Sequence, residues 1–436
     1  MAFVNETSLR FSINPASICK NAGQTRMLAR NESLHYFAFM NLECEILIIG
    51  AGAVGLSAGL ALAQAGRKVI ITGRIDTGAS ARTLALFGAS QKFFDRLGLL
   101  DSIRQTGEPL EVMRIIDDTG SLFRLPETNF RAREIGLEEF GTNIENRDLL
   151  DLLATAARHY SHLTVLDDYV TQLKLGTDHI EAELGADRKI IAKLILAADG
   201  RQSPTRQFCK IASTEQSYPQ VAITALLGHQ RPHNNVSTEF HTRKGPFTLV
   251  PLPAKGDQLH RSSLVWMTDP QEARRLLALP SSDLTRAMEK QAHSLLGKFT
   301  LLGAMSQFPM SLMQADRLYA ERVVLIGDAA HSFPPIGAQG LNLGLRDVGH
   351  SVETILAHRD PGQESVLQAY AERRTADIKL RSFGVDLLNR SLLTQMLPMD
   401  FARGAGLLAL SQIGPLRRMI MREGIEPKGR TPMMMR

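Results

Sequence analysis

The sequence predicts an α/β fold, in which an antiparallel β-sheet domain is inserted into a Rossmann-like domain and a helical C-terminal region follows. Three observations support this fold class. A strand, a glycine-rich turn and a helix follow one another near residue 50. Short segments rich in β-branched and aromatic residues occupy the middle of the chain. A second strand–turn–helix unit spans Val323–Asp347. The chain has 436 residues, several times a typical domain of about 150 residues, so we expect at least two domains.

The composition is that of a globular protein, with 44% hydrophobic and 22% charged residues. The cysteines, Cys19, Cys44 and Cys209, are far apart, which favours a reducing compartment and predicts neither a disulfide framework nor a metal site. Basic residues concentrate at the two ends: residues 415–436 hold six Lys or Arg against two Glu, and residues 1–40 hold four against two. Because the body between them is close to neutral, we expect no nucleic-acid partner.

Residues 1–40 lack the apolar stretch of a secretory signal and show no periodic pattern. Three interpretations are open: a transit peptide, a disordered arm, or untranslated sequence upstream of a true start at Met40. We favour the last, because Met40 lies six residues before the first strand, at Ile46.

The first strand–turn–helix unit predicts a dinucleotide site. Ile46–Ile49 is the strand, and Gly50, Gly52 and Gly55 form a GxGxxG turn before a helix over Leu56–Ala65. Gly50 permits the turn, Gly52 lets the backbone approach a pyrophosphate, and Gly55 lets the helix pack on the strand. The uncharged stretch from residue 46 to 66 also has the length of a membrane span, but its five glycines and its division into strand and helix favour the first interpretation.

One part of this fingerprint is missing. An acidic residue that binds the ribose is expected after the second strand, Val69–Thr72, but Gly73 and Arg74 stand there and Asp76 is the nearest acid. Either Asp76 substitutes for it, or the backbone holds the ribose.

The middle of the chain changes from helical to strand-like patterns. We predict helices over Ala81–Leu100 and Asn146–Arg158, then a strand over Lys189–Ala198 that ends in Asp199-Gly200. The predicted strands of the inserted antiparallel sheet are Val221–Leu227, Val236–His241, Phe247–Leu252 and Ser262–Met267.

The late unit resembles an anion-binding or cofactor-binding turn. A buried strand, Val323–Ile326, ends at Gly327-Asp328, and a helix is predicted from Leu341. Asp328 suits a ligand with hydroxyl groups, although an ordinary connection with a capping Asp has the same pattern. Past Asp347 we predict helices, one of them starting near Pro361, and disorder over Pro427–Arg436.

Together these motifs resemble those of the class A flavoprotein aromatic hydroxylases, and most of all the ubiquinone-biosynthesis flavin hydroxylases. The resemblance covers about residues 43–425. It rests on Gly50-x-Gly52-x-x-Gly55, Asp199-Gly200-x-x-Ser203-x-x-Arg206, Gly327-Asp328, the loop and helix Pro335–Asp347, Gly245–Pro253, Ser263–Trp266, Arg82–Leu86 and Tyr370-x-x-x-Arg374.

Three positions depart from the family pattern. Pro334 replaces the signature His, Ala338 replaces the first Gly of its GQG, and Gly73 replaces the ribose-binding Glu. The first two give a loop similar to that of para-hydroxybenzoate hydroxylase. The family uses the Gly50 turn for FAD, so Arg74 is weak support for NADP.

The resemblance implies an FAD-binding Rossmann-like domain with the para-hydroxybenzoate hydroxylase-like fold. Asp328 would bind the ribityl chain, Asp199 and Gly200 would lie near the pyrophosphate with Arg206 as a structural partner, and Arg82 would be a further contact or a surface residue. Asn146-Arg147 would open a helix near the ring or merely cap it, and no role is assigned to His331. The loop facing the flavin would comprise Pro335, Gly337, Gln339, Gly340, Leu341 and Asn342, with no side-chain base.

The implied function is hydroxylation of the aromatic ring of a polyprenyl phenol in ubiquinone biosynthesis, through a flavin C4a-hydroperoxide, with O₂ and NAD(P)H or another electron donor. The alternatives are hydroxylation of a soluble aromatic acid and a non-catalytic FAD-binding scaffold in a quinone-biosynthesis complex. We expect a cytoplasmic protein. Gly404–Met421, whose apolar residues lie beside Arg417 and Arg418, has two interpretations: peripheral contact with the inner membrane, or a C-terminal helix packed on the core with a solvated basic end.

The implied domain division is discontinuous. Residues 41–115, 143–212 and 317–380 would form the FAD-binding domain, residues 116–142 and 213–316 the substrate domain, and residues 381–436 a helical region with a basic tail.

Overall fold

The computed structural model describes residues 41–78, 81–120, 127–185, 188–335, 337–393, 413–425 and 431–436. The predictions for residues 1–40, Gly404–Gln412 and 426–430 lie outside these residues. The strands are β1 (Leu42–Ile49), β2 (Val69–Thr72), β3 (Thr83–Phe87), β4 (Glu108–Pro109), β5 (Val112–Asp117), β6 (Thr128–Arg131), β7 (Gly141–Glu145), β8 (Leu163–Leu166), β9 (Val170–Leu175), β10 (Ile180–Leu184), β11 (Lys189–Ala197), β12 (Ser213–His229), β13 (Val236–Thr242), β14 (Gly245–Leu252), β15 (Arg261–Thr268), β16 (Phe299–Leu301), β17 (Ser306–Ala315), β18 (Tyr319–Ala320), β19 (Val323–Leu325) and β20 (His331–Ser332).

The helices are α1 (Ala53–Gln64), α2 (Gly88–Arg96), α3 (Leu100–Thr106), α4 (Asn146–Ala157), α5 (Pro204–Phe208), α6 (Pro270–Leu277), α7 (Ser281–Gln291), α8 (Gln339–Leu356), α9 (Glu364–Leu393) and α10 (Gly414–Ile425). Short 3-10 turns occupy Ala132–Ile135, Gly327–Ala329 and Met433–Met435. Among the described helices, none has both the length and the apolar character needed to cross a bilayer.

The first sheet carries the dinucleotide pattern. Its strand order is β18-β19-β11-β1-β2-β8, with the β9–β10 hairpin joined to β11, and the pairs that β1 makes with β2 and β11 are parallel. The second halves of the central strands, residues 46–49 of β1 and 194–197 of β11, are apolar on both faces and buried, as is usual when helices cover a parallel sheet. The carboxyl ends of β1, β11 and β19 therefore lie side by side, which brings the turns after residues 49, 197 and 325 to one edge.

The second sheet has nine strands in the order β20-β17-β12-β15-β14-β13-β5-β6, with β16 beside β12. Its pairs are antiparallel except that of β5 with β13. One face packs against α6 and α7 through a core that includes Phe240, Phe247 and Trp266. A small third sheet, in the order β3-β7-β4, contacts β14 of the second sheet. The predicted boundary between residues 115 and 116 falls within β5, and the division into two domains stays a prediction.

Two element predictions are wrong. Ala81–Leu100 is not one helix, because Thr83–Phe87 pairs with β7 as strand β3 before α2 begins. The described end of Pro427–Arg436 is ordered: Met433–Met435 forms a 3-10 turn, and Met435 is buried in the main core. Tertiary contacts decide both segments, and local propensity does not record them. Helix α8 also begins two residues earlier than predicted, at Gln339.

Candidate functional site

The glycine turn after β1 has the geometry that its sequence predicts. Gly50 has φ +115°, and a Cβ there would lie 2.2 Å from the carbonyl oxygen of Ala198. A Cβ on Gly55 would lie 1.9 Å from the carbonyl oxygen of Gly50, whereas one on Gly52 would meet no atom within 4 Å. Gly50 and Gly55 therefore permit internal packing, while Gly52 borders open space. Helix α1 begins there with no side-chain cap and no acidic residue in its first turn, so its N–H groups suit an anion.

The missing acid after β2 has a steric explanation. Gly73 has φ +142°, and a Cβ at this position would lie 2.8 Å from the backbone nitrogen of Ala51. A glutamate could not adopt this backbone without strain. The Asp76 carboxylate instead accepts a hydrogen bond from the N–H of Gly78, and Arg74 is exposed.

The turn after β11 braces the edge of the sheet. Both carboxylate oxygens of Asp199 are used within the turn, where they accept hydrogen bonds from the Ser203 hydroxyl and the Thr205 N–H. Arg206 is buried and donates to the carbonyl oxygens of Ala329 and Arg201 at 2.9 and 2.8 Å. Arg206 thus ties this turn to the one after β19, and Gly200, with φ +81°, borders open space.

Asp328 follows β19 in the turn Gly327–Ala329. Its side chain is accessible to solvent, yet protein surrounds it, so it faces the inside of a cleft. Desolvation raises the pKa of its carboxyl group, and the nearby charges, including that of Arg82, only partly oppose the rise. Within the described part of the chain its carboxylate accepts no hydrogen bond. Such a group suits a ligand that brings hydroxyl donors.

Arg82 and Thr83 connect β3 to the nine-stranded sheet. The Arg82 guanidinium lies 4.5 Å from the ring centroid of Phe308 on β17. The Thr83 hydroxyl donates to the Ser263 hydroxyl on β15 at 2.8 Å. Arg82 therefore lies at the border between the two large sheets, near Asp328. Asn146-Arg147 forms the first turn of α4, where Arg147 pairs with Asp151 across one helical turn.

The loop before α8 has an unusual backbone. Gly337 and Ala338 have φ +64° and +50°, and the Gln339 amide donates to the carbonyl oxygen of Gly337 at 3.2 Å. Ile336 lies outside the described residues. Helix α8 starts without a side-chain cap, so the N–H groups near Gly340 and Leu341 are free to face a ligand.

The Asn342 side chain holds this loop against β3 and α2. Its Oδ1 accepts hydrogen bonds from the Phe87 N–H and the Ser90 hydroxyl, at 3.1 and 2.7 Å. Its Nδ2 donates to the carbonyl oxygens of Ala85 and Ala338, at 2.8 and 2.7 Å. The side chain is therefore fully used by the protein, and only its backbone is available to a cofactor.

A buried charge network beneath the loop was not predicted. His331 Nε2 lies 2.6 Å from Asp347 Oδ2, and both side chains are fully buried. Asp347 also accepts the Gly327 N–H at 2.8 Å and the Arg374 Nε–H at 2.6 Å. Burial alone would raise the pKa of Asp347, but the charges of His331 and Arg374 outweigh it and lower the pKa to about 2.

The same network extends to the loop before α8. Arg374 pairs with Asp377, Asp377 accepts from Arg381 Nε at 3.1 Å, and Arg381 donates to the Gln339 side-chain oxygen at 3.0 Å. The turn at Gly327 and the loop at Gly337 are thereby held by one set of ion pairs. The sequence did mark both residues: Asp347 is the last residue of the motif Pro335–Asp347, and Arg374 is the last residue of the motif Tyr370-x-x-x-Arg374.

The residues at this sheet edge fit FAD in three respects. An uncapped helix start and the open space at Gly52 suit a pyrophosphate. The Asp328 carboxylate, which has no hydrogen-bond donor among the described residues, suits a hydroxylated chain, and the uncapped start of α8 suits a group that carries negative charge. These features define a flavoprotein of the para-hydroxybenzoate hydroxylase type.

Comparison with known proteins identifies the family. The family described as "FAD binding domain" matches residues 43–380. A protein named ubiquinone hydroxylase UbiL, from Rhodospirillum rubrum, is 31% identical, covering 87% of this chain and 89% of its own. The 3-demethoxyubiquinol 3-hydroxylase of Escherichia coli is 28% identical, covering 88% and 98%. The chain thus belongs to the FAD-dependent aromatic hydroxylases and, among them, to the ubiquinone-biosynthesis flavin hydroxylase family.

A solved structure supports the fold. p-Nitrophenol 4-monooxygenase PnpA from Pseudomonas putida DLL-E4 superposes with a TM-score of 0.74 at 18% identity, covering 90% of this chain and all of that one. The predicted fold class is confirmed, and so is the prediction of an FAD-dependent monooxygenase.

Proposed function

We propose that this enzyme hydroxylates the aromatic ring of a polyprenyl phenol on the path to ubiquinone, with FAD as bound cofactor and O₂ as co-substrate. The observation that carries the substrate class is the nearly full-length similarity to relatives that are named as hydroxylases of ubiquinone or its precursors. The accessible carboxylate of Asp328, which accepts no hydrogen bond from the described residues, supports the binding of a hydroxylated cofactor at this sheet edge.

We assign the cofactor contacts as follows. The turn at Gly50, Gly52 and Gly55, with the first N–H groups of α1, binds the pyrophosphate, and Asp199 and Gly200 shape the neighbouring wall. Asp328, presented by Gly327, binds the ribityl hydroxyls, and Arg82 adds positive charge. The loop residues Pro335, Gly337 and Gln339, followed by Gly340, Leu341 and Asn342, lie along the flavin ring through their backbone.

The chain's own contribution is positioning and exclusion of water. Bound FAD, once reduced by NAD(P)H or another donor, supplies the oxygen-transfer chemistry. The partial positive charge at the start of α8 would stabilise negative charge on a flavin ring held against it. The left-handed backbone at Gly337 and Ala338 lets the loop lie flat with no Cβ at Gly337.

A substitution at Gly52 tests the cofactor assignment. Because a side chain there would enter the open space beside α1, Gly52→Val should abolish FAD retention in the purified protein. The absorption spectrum after desalting measures it. Gly384→Ala, whose added Cβ also meets nothing within 4 Å and whose backbone is not left-handed, serves as the control and should keep the cofactor. Stoichiometric FAD in Gly52→Val would contradict the assignment.

Product analysis tests the substrate class. The holoenzyme, given a reductant, should convert a prenylated phenol to its hydroxylated product. Mass spectrometry of quinone intermediates in a deletion strain should show a precursor lacking one ring oxygen. A hydroxylated soluble aromatic acid, or hydrogen peroxide without any product, would contradict the proposal.

We also propose peripheral contact with a membrane, within or beside a ubiquinone-biosynthesis complex. The side chains of Met419 and Ile420 on α10, and of Ile413 just before it, are exposed, and Arg418 and Arg422 on α10 are exposed as well. Arg417 does not belong to this surface, because it pairs with Glu134 and stacks on Phe130. Exposed apolar residues flanked by cations suit an anionic lipid surface.

Liposome flotation tests this contact. Arg418→Gln combined with Arg422→Gln should reduce flotation with anionic vesicles, since each cation contributes about 1 kcal/mol near such a surface. Neutral vesicles are the control. Equal flotation of wild type and variant on anionic vesicles would contradict membrane contact through α10.

A further inference from the structure

Residues 431–436 form a short segment that lies across helices α2 and α8. Its 3-10 turn, Met433–Met435, consists of three consecutive methionines, so we call residues 431–436 the methionine segment. Pro432 packs closely on α8, because a Cβ added at Gly349 would lie 2.6 Å from the proline ring. The methionine segment therefore docks at a defined place on α8.

A charged side chain of α8 also holds the methionine segment. The Met433 N–H donates to the Glu353 carboxylate, and the same carboxylate pairs with Arg373 of α9 at 3.0 Å. A segment of six residues that adds no strand or long helix to the fold opens locally at a free energy well below that of global unfolding. We therefore expect the methionine segment to dissociate from α8 while the rest of the enzyme stays folded.

The three methionines of this segment differ in accessibility. Met433 is 64% exposed, Met434 is partly buried, and Met435 is 2% exposed as part of the main core. A groove of about 920 Å³ opens beside the segment and is lined by Met433 and Met434. Small oxidants in solution therefore reach Met433 and Met434 directly, whereas they reach Met435 only when the segment has dissociated.

Helices α2 and α8 also carry the contacts that fix the loop before α8. Asn342, in the first turn of α8, accepts hydrogen bonds from the Ser90 hydroxyl of α2 and from the Phe87 N–H. Gly349 and Glu353, which hold the methionine segment, lie about two and three turns further along α8. The segment thus bridges the same two helices at a second place, and its release removes one of the contacts that keep them together.

Hydrogen peroxide is an oxidant that suits these thioethers. A flavin monooxygenase releases it when O₂ reacts and no substrate ring takes up the oxygen. The sulfur lone pair attacks one peroxide oxygen, so that an S–O bond forms and the O–O bond breaks. The departing hydroxide takes the proton of the transferred OH group and leaves as water. Sulfur loses two electrons and peroxide gains them, and the product is methionine sulfoxide.

We propose that Met435 is a modification site, at which oxidation by hydrogen peroxide keeps the methionine segment off α8 and weakens the binding of FAD. This inference rests on the proposed function, because turnover without substrate supplies the peroxide. A sulfoxide on Met435 cannot return to the core without burying a polar oxygen among apolar side chains. A sulfoxide on the exposed Met433 meets no such barrier. Methionine sulfoxide reductases reverse the modification, so the enzyme regains its affinity for FAD once peroxide is gone.

The test treats the holoenzyme with hydrogen peroxide and follows each methionine by peptide mass spectrometry. Sulfoxide should appear first at Met433 and later at Met435, and the Kd for FAD should rise about tenfold as Met435 is converted. A rise of this size corresponds to a released segment in about nine tenths of the molecules. Met435→Leu conserves the volume of the side chain and should abolish the rise. Met433→Leu is the matched control at the exposed position and should leave the rise unchanged.

A second variant tests the inference without peroxide. Met435→Gln introduces a polar side chain of similar size, so it should raise the Kd for FAD and lower the unfolding temperature of the untreated enzyme. This variant decides the question if Met435→Leu fails to fold.

Two results would overturn the inference. One is a Met435 that stays unmodified after Met433 is fully converted, and the other is an unchanged Kd for FAD once Met435 carries the sulfoxide. Absence of hydroxylated product in the substrate test would overturn the proposed function alone, because added peroxide tests Met435 without turnover.

Discussion

Two histidine–carboxylate pairs in this enzyme have the same separation and different surroundings. His331 Nε2 and Asp347 Oδ2 are 2.6 Å apart, as are His241 Nε2 and Glu239 Oε1. The first pair is 0% exposed on both sides and is joined by Arg374 and the Gly327 N–H, whereas in the second pair 9% of the His241 side chain and 29% of the Glu239 side chain are accessible. Complete burial and additional partners, and not hydrogen-bond length, therefore distinguish the His331–Asp347 pair.

The largest effect on stability is expected from breaking the fully buried network around His331 and Asp347. Asp347→Asn removes one of the two carboxylates that pair with the buried Arg374, the other being Asp377, so we expect a loss of about 3 kcal/mol in the free energy of unfolding. Denaturant unfolding with FAD bound measures it. Asp283→Asn, in the exposed Arg286–Asp283 pair, should change stability by less than about 0.5 kcal/mol. A loss below 1 kcal/mol for Asp347→Asn would contradict a structural role.

Substitutions in the loop before α8, which the buried network supports, should affect catalysis more than stability. Gly337→Val adds a branched side chain at φ +64° without entering the core, so FAD should remain while product per reduced flavin falls about tenfold and peroxide rises. Product, peroxide and bound FAD are measured together. Pro335→Ala should act in the same direction more weakly. If product per reduced flavin is unchanged in both variants, the loop does not contribute to the reaction.

A buried histidine without an acidic partner gives a smaller, pH-dependent effect. Burial lowers the pKa of His229 to about 4, and its ring nitrogens lie near the Arg231 carbonyl oxygen and the Ser262 hydroxyl. Below about pH 6.5 the unfolded chain gains a proton here that the folded chain refuses. Stability is therefore lost as pH falls from about 6.5 toward 4, and His229→Gln should flatten the dependence of unfolding temperature on pH in this range. An unchanged slope would contradict it.

Local features of the site were predictable and tertiary ones were not. The turn at Gly50 and the strand before Asp328 follow from short-range patterns, because glycine placement and apolar runs record backbone geometry. The ion pair between Arg374 and Asp347 joins residues on different helices, and the spacing of the two residues in the sequence does not predict it. The absence of an acid at Gly73 was visible, but its cause, the contact with Ala51, required coordinates.

The wrong prediction at strand β3 has the same cause, a tertiary contact that the sequence does not show. Thr83–Phe87 is an apolar stretch of five residues, a length at which periodicity does not separate strand from helix. Its pairing with β7, more than fifty residues later in the chain, decides the matter. The predicted strand Val236–His241 likewise puts Glu239 and His241 on one face, yet the contact between their side chains required coordinates.

The arrangement of β1, β11 and β19 has a consequence for how the enzyme forms. Their adjacent ends bring Gly50, Asp199 and Asp328 to one edge although long stretches of chain separate them. Closing such long loops is slow, and its entropy cost precedes any stabilising contact, so this edge assembles late in folding. A ligand that binds only the assembled edge draws the equilibrium toward the native state by mass action. The amount of folded enzyme in a cell should therefore rise and fall with its supply of FAD.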